Sequence, residues 1–147
     1  MSKTAIFIHL VFATKYRKRT IFEEGKERLY SYIAGVIKTN NCHVCAIGGC
    51  ADHIHILLDL HPSVALASLV REIKTSAVAL TKKERFLPYF EGWSDGYYAG
   101  SISPSHKLKC EEYIHNQEAH HQGNSVEDEM ELMASKYGFT FHNDDLK

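Results

Sequence analysis

The sequence predicts an α+β domain in which strands and helices follow one another as β-α-β-β-α-β, with a further helix behind them. Three observations carry this. Apolar residues alternate with period two near residues 6–13, 42–48, 53–60 and 97–101, and they recur at helical spacing over 23–39 and 66–83. Glycine, proline and asparagine clusters separate these segments. With 147 residues, of which 44% are hydrophobic and 24% charged, the chain suits one globular core spanning residues 1–147 and not a disordered or fibrous polypeptide.

In the first strand, Ile6, Ile8, Leu10 and Phe12 alternate with Phe7, His9, Val11 and Ala13. The run Ala5 to Ala13 is interrupted by His9 and is far shorter than the roughly 20 apolar residues a membrane span requires. Helix one is expected from Glu23 to about Thr39, with Leu29, Ile33, Val36 and Ile37 on its apolar face and Asn40-Asn41 as its stop. Cys42–Gly48 and His53–Leu60 read as two strands of a hairpin turning around Gly48-Gly49-Cys50-Ala51-Asp52. Helix two, striped by Leu66, Leu69, Val70, Ile73, Ala77 and Leu80, should end near Lys83.

Tyr97–Ser101 is the fourth strand. Ser103 as N-cap and Pro104 in the first turn then start a helix from Leu108 to about His121, closed by Gly123. The order is that of a ferredoxin-like (RRM-like) antiparallel sheet with an appended C-terminal helix carrying a tyrosine, the helices on one face and the other face left for a site. Ser125–Tyr137 reads as a short, exposed acidic helix with Met130, Met133, Ala134 and Tyr137 on its modest apolar side, within an acidic C-terminal segment of about 124–147.

The net charge of −1 conceals an asymmetry: residues 1–122 hold 15 Lys and Arg against 12 Asp and Glu, whereas 123–147 hold two against six. The body is therefore mildly basic, as a phosphate-binding surface requires. Cys42, Cys45, Cys50 and Cys110 come without a signal peptide, which points to reduced thiols in a cytoplasmic protein. A zinc knuckle at Cys42-x-x-Cys45 is disfavoured because no second pair follows and the segment reads as strand.

In a strand, residues two apart share a face, so His53, His55 and Leu57 stand opposite Ile54, Ile56 and Leu58. The aliphatic trio belongs to the core, which leaves two neutral imidazoles able to hold neighbouring positions on a divalent ion. Tyr113 and Gln117 are four residues apart on the tyrosine helix and lie on one side of it. His115, His120 and His121 are conceivable proton acceptors, and Asp52 reads as a turn residue. Lys15-Tyr16-Arg17-Lys18-Arg19 joins cations to an aromatic ring, as backbone clamps for single strands do, and Arg71 and Lys74 add charge to helix two; the bland reading is a solvated loop and exposed charge.

Taken in order, four segments resemble the single-tyrosine HUH transposases, the TnpA-type enzymes of small insertion sequences. They are His9–Arg17, Asp52–Leu58 with its His-x-His, Gly92-Trp93 through Gly96-Tyr97 and Ser101, and Tyr113-Ile114-His115-Asn116-Gln117 about 60 residues after the histidines. The resemblance implies Mg²⁺ or Mn²⁺ on His53, His55 and Gln117, with Tyr113 attacking a DNA phosphodiester to give a 5′-phosphotyrosine and a free 3′-hydroxyl. It also implies a homodimer acting on single-stranded DNA with hairpins, the tyrosine helix docking in cis or in trans. Two rival readings are a non-catalytic nucleic-acid-binding module, which predicts stacking aromatics where the histidines stand, and a hydrolytic metal phosphodiesterase, which predicts a dispensable Tyr113.

Overall fold

The computed structural model describes residues 2–117 and 126–137. Strands β1 (Phe7–Ala13), β2 (His43–Cys50), β3 (His53–Asp59) and β4 (Tyr98–Ile102) form one antiparallel sheet in the order β2-β3-β1-β4. Helices α1 (Glu23–Thr39) and α2 (Leu66–Glu84) follow β1 and β3, while α3 (Lys107–His115) and α4 (Val126–Tyr137) follow β4. Short 3-10 turns occupy Lys15–Arg17 and Pro104–His106.

Strand parity divides the side chains between two cores. Leu10 and Phe12 of β1 and Ile54, Ile56 and Leu58 of β3 pack against Leu29, Ile33 and Ile37 of α1 and Leu69, Val70 and Ile73 of α2. On the opposite face, Leu57 and Ala46 meet Cys110 and Ile114 of α3, and Val11 meets Met130 and Met133 of α4. This second layer departs from the expected free face: β3 is buried along His53–Leu58 on both sides. The acidic helix α4, Val126–Tyr137, is accordingly not simply exposed, since Met130, Met133 and Ala134 are covered.

α1 stops as predicted because Asn41 adopts φ 63°, a left-handed conformation asparagine tolerates, while the Asn40 side chain donates to the Val36 carbonyl at 2.8 Å. The hairpin is tighter than expected. β2 continues through Gly48, Gly49 and Cys50, Cys50 pairs with His53, and only Ala51-Asp52 turns. The paired glycines serve close approach instead: a Cβ on Gly48 would strike the Ile114 carbonyl of α3, and one on Gly49 would strike the His53 carbonyl.

Ser103 provides no side-chain cap to the backbone; its hydroxyl bonds the His106 ring at 2.8 Å, and a 3-10 turn precedes the α-helix. α3 ends at His115 with Asn116 as its cap, earlier than the expected His121. The segment containing His120, His121 and Gly123 lies outside the described residues. No disulfide joins the described cysteines, and no described helix is long and apolar enough to cross a membrane.

Candidate metal and tyrosine site

The site lies on the face of the sheet covered by α3 and α4. Register aligns Val11 with His55 and Gly48 with His55, so His55 stands in the sheet's centre, flanked by β1 and β2. His53 and His55 are both fully buried with ring centroids 5.1 Å apart, a consequence of their two-residue spacing. Glu129 of α4, 6% exposed, reaches between them: its carboxylate oxygens lie 3.3 Å from His53 Nε2 and 3.2 Å from His55 Nε2. The Tyr113 hydroxyl donates to the same carboxylate. Tyr113 thus faces the histidines of its own chain, its ring centroid 5.7 Å from that of His55.

The outer nitrogens of both imidazoles are engaged by a second ring of residues. Asp52 Oδ1 lies 2.7 Å from His53 Nδ1, and His9 Nε2 lies 2.8 Å from His55 Nδ1. Such contacts set ring orientation and the tautomer that presents Nε2 to the site. Although burial disfavours charge on His53, its hydrogen bonds to Asp52 and Glu129 and the charge of both carboxylates raise its pKa to about 9. His9 moves oppositely, down to about 3, through burial first and the neighbouring His55 second, so it is a neutral ring at physiological pH.

His53, His55 and Glu129 offer ligand atoms within 4.8 Å of one another, a group that can hold a divalent ion. Two imidazole nitrogens and a carboxylate oxygen, all withdrawn from solvent, suit a first-row or alkaline-earth dication. Gln117, predicted as third ligand, is buried in the same layer; its Nε2 donates to the Tyr113 carbonyl at 3.2 Å and its own carbonyl accepts from Cys50 Sγ at 3.6 Å.

Sequence reading missed Glu129 and His9 as site residues. Glu129 adjoins Met130 and lies one helical turn before Met133, so a carboxylate bordering the apolar stripe was the available signal. His9 shares strand parity with Val11 and interrupts an apolar run. Asp52 was read as a turn residue, and besides forming the turn it holds His53.

The predicted DNA-contacting residues fall into two neighbouring places. Lys15, Tyr16 and Arg17 line a cavity of about 480 Å³ with Trp93, Ser94 and Asp95. Tyr16 is 75% exposed, with the Lys15 and Lys18 ammoniums 5.6 and 5.8 Å from its ring centroid. Arg17 pairs with Glu127 of α4, Lys18 with Glu91, and Arg19 is exposed. Arg71 and Lys74 line a second cavity of about 550 Å³ that shares Trp93, Ser94 and Asp95. Lys74 is half-buried and donates to the carbonyls of Ser94, Asp95 and Gly96 at 2.7, 3.3 and 3.0 Å, which ties the loop before β4 to α2.

The antiparallel sheet with its buried histidine pair, carboxylate and helix-borne tyrosine occurs in a chain of the transposase class. The chain belongs to the IS200-like transposases, whose family model, described as "Transposase IS200 like", matches residues 2–117. It is 29% identical over 114 residues to the transposase for insertion sequence element IS200 of Salmonella typhimurium, covering 74% of each chain. It is 24% identical to the ISDra2 transposase TnpA of Deinococcus radiodurans, over 74% of this chain and 81% of that one. Among solved structures it resembles a REP-associated tyrosine transposase bound to a REP hairpin, with a TM-score of 0.62 and 16% identity over 83% of this chain and 75% of that one. A crystal structure of a chain assigned as a transposase from Deinococcus radiodurans R1 also gives a TM-score of 0.62, at 23% identity over 79% of this chain and 93% of the other.

Proposed function

We propose that this transposase cleaves and rejoins single-stranded DNA through a covalent bond to Tyr113, with Mg²⁺ or Mn²⁺ held by His53 and His55. The observation that carries the reading is that one carboxylate, that of Glu129, touches His53, His55 and the Tyr113 hydroxyl at once. The phenol oxygen is therefore a single carboxylate's width from the place where the two Nε2 atoms would hold an ion. A phosphate group has similar dimensions and could span the same gap.

A phenol has a pKa near 10 and is a poor nucleophile alone. The ion, when bound, would neutralise phosphate charge and stabilise the leaving oxygen. Tyr113 Oη would bond to phosphorus as the bond from phosphorus to the 3′ oxygen breaks. The phenol proton passes to a base, and the departing oxygen takes one up as a 3′-hydroxyl. The phosphotyrosine conserves the energy of the broken bond, so a later 3′-hydroxyl can displace Tyr113 without ATP. His53 and His55 would supply nitrogen ligands oriented by Asp52 and His9, Gln117 would supply a third ligand beside Tyr113, and Glu129 is an oxygen donor at the same place in the DNA-free protein.

The strand order β2-β3-β1-β4 supports a ferredoxin-like sheet in one domain over 1–147, with α3 as its tyrosine-bearing helix. Lys15, Tyr16 and Arg17 border one cavity and Arg71 and Lys74 the adjoining one, a path a strand could follow, with Lys18 and Arg19 next to the first in sequence. The hairpin bound by the structural neighbour suggests hairpin-bearing DNA ends as the substrate, with a homodimer as the acting unit.

The test is adduct formation. Wild-type protein incubated with labelled hairpin single-stranded DNA and Mg²⁺ or Mn²⁺ should yield a denaturation-resistant protein–DNA adduct, and Tyr113→Phe should not. Equal cleavage by Tyr113→Phe would refute the covalent mechanism in favour of hydrolysis, and tight binding without any cleavage would identify a binding module.

A further inference from the structure

We infer that α4 is an acidic strap that stands in for DNA phosphates in the resting protein and has to leave the site before DNA can enter. The inference rests on the proposed DNA-cleaving role of the site. Two carboxylates of one helix engage two separate parts of the DNA path. Glu127 pairs with Arg17, one of the four cations of the Lys15–Arg19 cluster, while Glu129 sits against His53, His55 and the Tyr113 hydroxyl. Glu129 occupies the place the proposed reaction gives to the scissile phosphate, and Glu127 occupies a cation of the proposed DNA path.

The site is closed as a result: His53 and His55 have no exposure and Glu129 has 6%. A strand of DNA cannot reach the two imidazoles while α4 is seated, and the partly buried Tyr113 has its hydroxyl held by Glu129. The seat itself is modest. Met130 and Met133 pack on Val11, Tyr98 and Tyr113, whereas Asp128, Glu131 and Ser135 face solvent and Leu132 is 72% exposed. Charge complementarity does the remaining work, because Glu127 and Glu129 meet Arg17, His53 and His55 of a body whose residues 1–122 carry 15 Lys and Arg against 12 Asp and Glu. An electrostatically held strap is one that a polyanion can displace, by offering the same cations phosphates in place of carboxylates.

The same geometry explains why the metal-site carboxylate comes from outside the strand and helix that carry the family-like motif. Seated, Glu129 holds the phenol by a hydrogen bond and fills a ligand position. Displaced, it frees both for the scissile phosphate, with Gln117 still beside Tyr113. Regulation and substrate entry are then one event.

The experiment uses the full chain without added metal, so that nothing is cleaved. Hydrogen exchange across Val126–Tyr137 should accelerate when saturating hairpin single-stranded DNA is added. Glu127→Gln, which releases Arg17 without touching the site, should bind that DNA several-fold more tightly and steepen the dependence of log affinity on log salt by about one. Glu131→Gln removes the same charge from the exposed side of α4 and should change neither quantity appreciably. Exchange across α4 that slows or stays unchanged with DNA, or equal effects of the two substitutions, would overturn the strap. Adduct formation distinguishes its failure from that of the catalytic reading: an adduct formed while α4 stays protected defeats the strap alone, and DNA-driven release of α4 without any adduct defeats the chemistry alone.

Discussion

Replacing Gly48 by alanine tests how α3, and with it Tyr113, is positioned. Gly48 lies on β2 opposite His55, and α3 crosses directly above it. An added Cβ would collide with the Ile114 carbonyl oxygen and sit 3.2 Å from both the Ile114 carbonyl carbon and its Cγ2. The nearest obstacle is helix backbone, so no rotamer change relieves it; α3 has to lift, opening the layer of Ala46, Leu57, Cys110 and Ile114. Overpacking of this kind costs about 1–3 kcal/mol. Gly35 provides the control, because a Cβ there meets nothing within 4 Å and alanine in a helix interior gains about 0.5–1 kcal/mol over glycine. Urea unfolding should therefore move the two midpoints in opposite directions, and the adduct yield of folded Gly48→Ala should fall below that of Gly35→Ala. A Gly48→Ala midpoint equal to wild type, with undiminished adduct, would show that α3 does not seat on Gly48 as described.

Two further outcomes follow from the histidines. His53 has its pKa raised to about 9, so the stability it contributes to the metal-free protein is fully present below about 6.5 and is lost as pH rises through 9; His9, lowered to about 3, instead costs stability as pH falls below about 6.5. Metal-free protein should thus be most heat-stable near pH 6.5, and because an ion must displace the His53 proton, the rise in Tm on adding Mg²⁺ should grow from pH 6 to 9; scanning fluorimetry with and without chelator checks this, and a pH-independent rise would contradict it. His9→Phe keeps a ring in the layer but removes the 2.8 Å contact to His55 Nδ1, and should weaken Mn²⁺ binding by about 10- to 100-fold in titration calorimetry while leaving the fold intact; unchanged affinity would remove His9 from the site's support.

The sequence alone determined the elements and which residues of a strand share a face. α1 is bounded at Glu23 and Thr39 as its spacing and Asn40-Asn41 indicate, and alternation placed both imidazoles of His53 and His55 away from Ile54, Ile56 and Leu58. Local periodicity suffices there because each depends on neighbours a few residues apart. Tertiary structure decided what those imidazoles meet. Glu129 lies more than 70 residues from His55 in sequence, on a helix whose acidic composition reads as solvated, and only packing of Met130 and Met133 on Val11 turns its carboxylate inward. Likewise, Gly48 and Gly49 look like a turn by composition, yet a helix carbonyl and a neighbouring strand occupy the space a side chain would need. Contacts between distant segments leave no periodic trace in the chain, so the histidine pair is legible in the sequence while the carboxylate that closes its site is not.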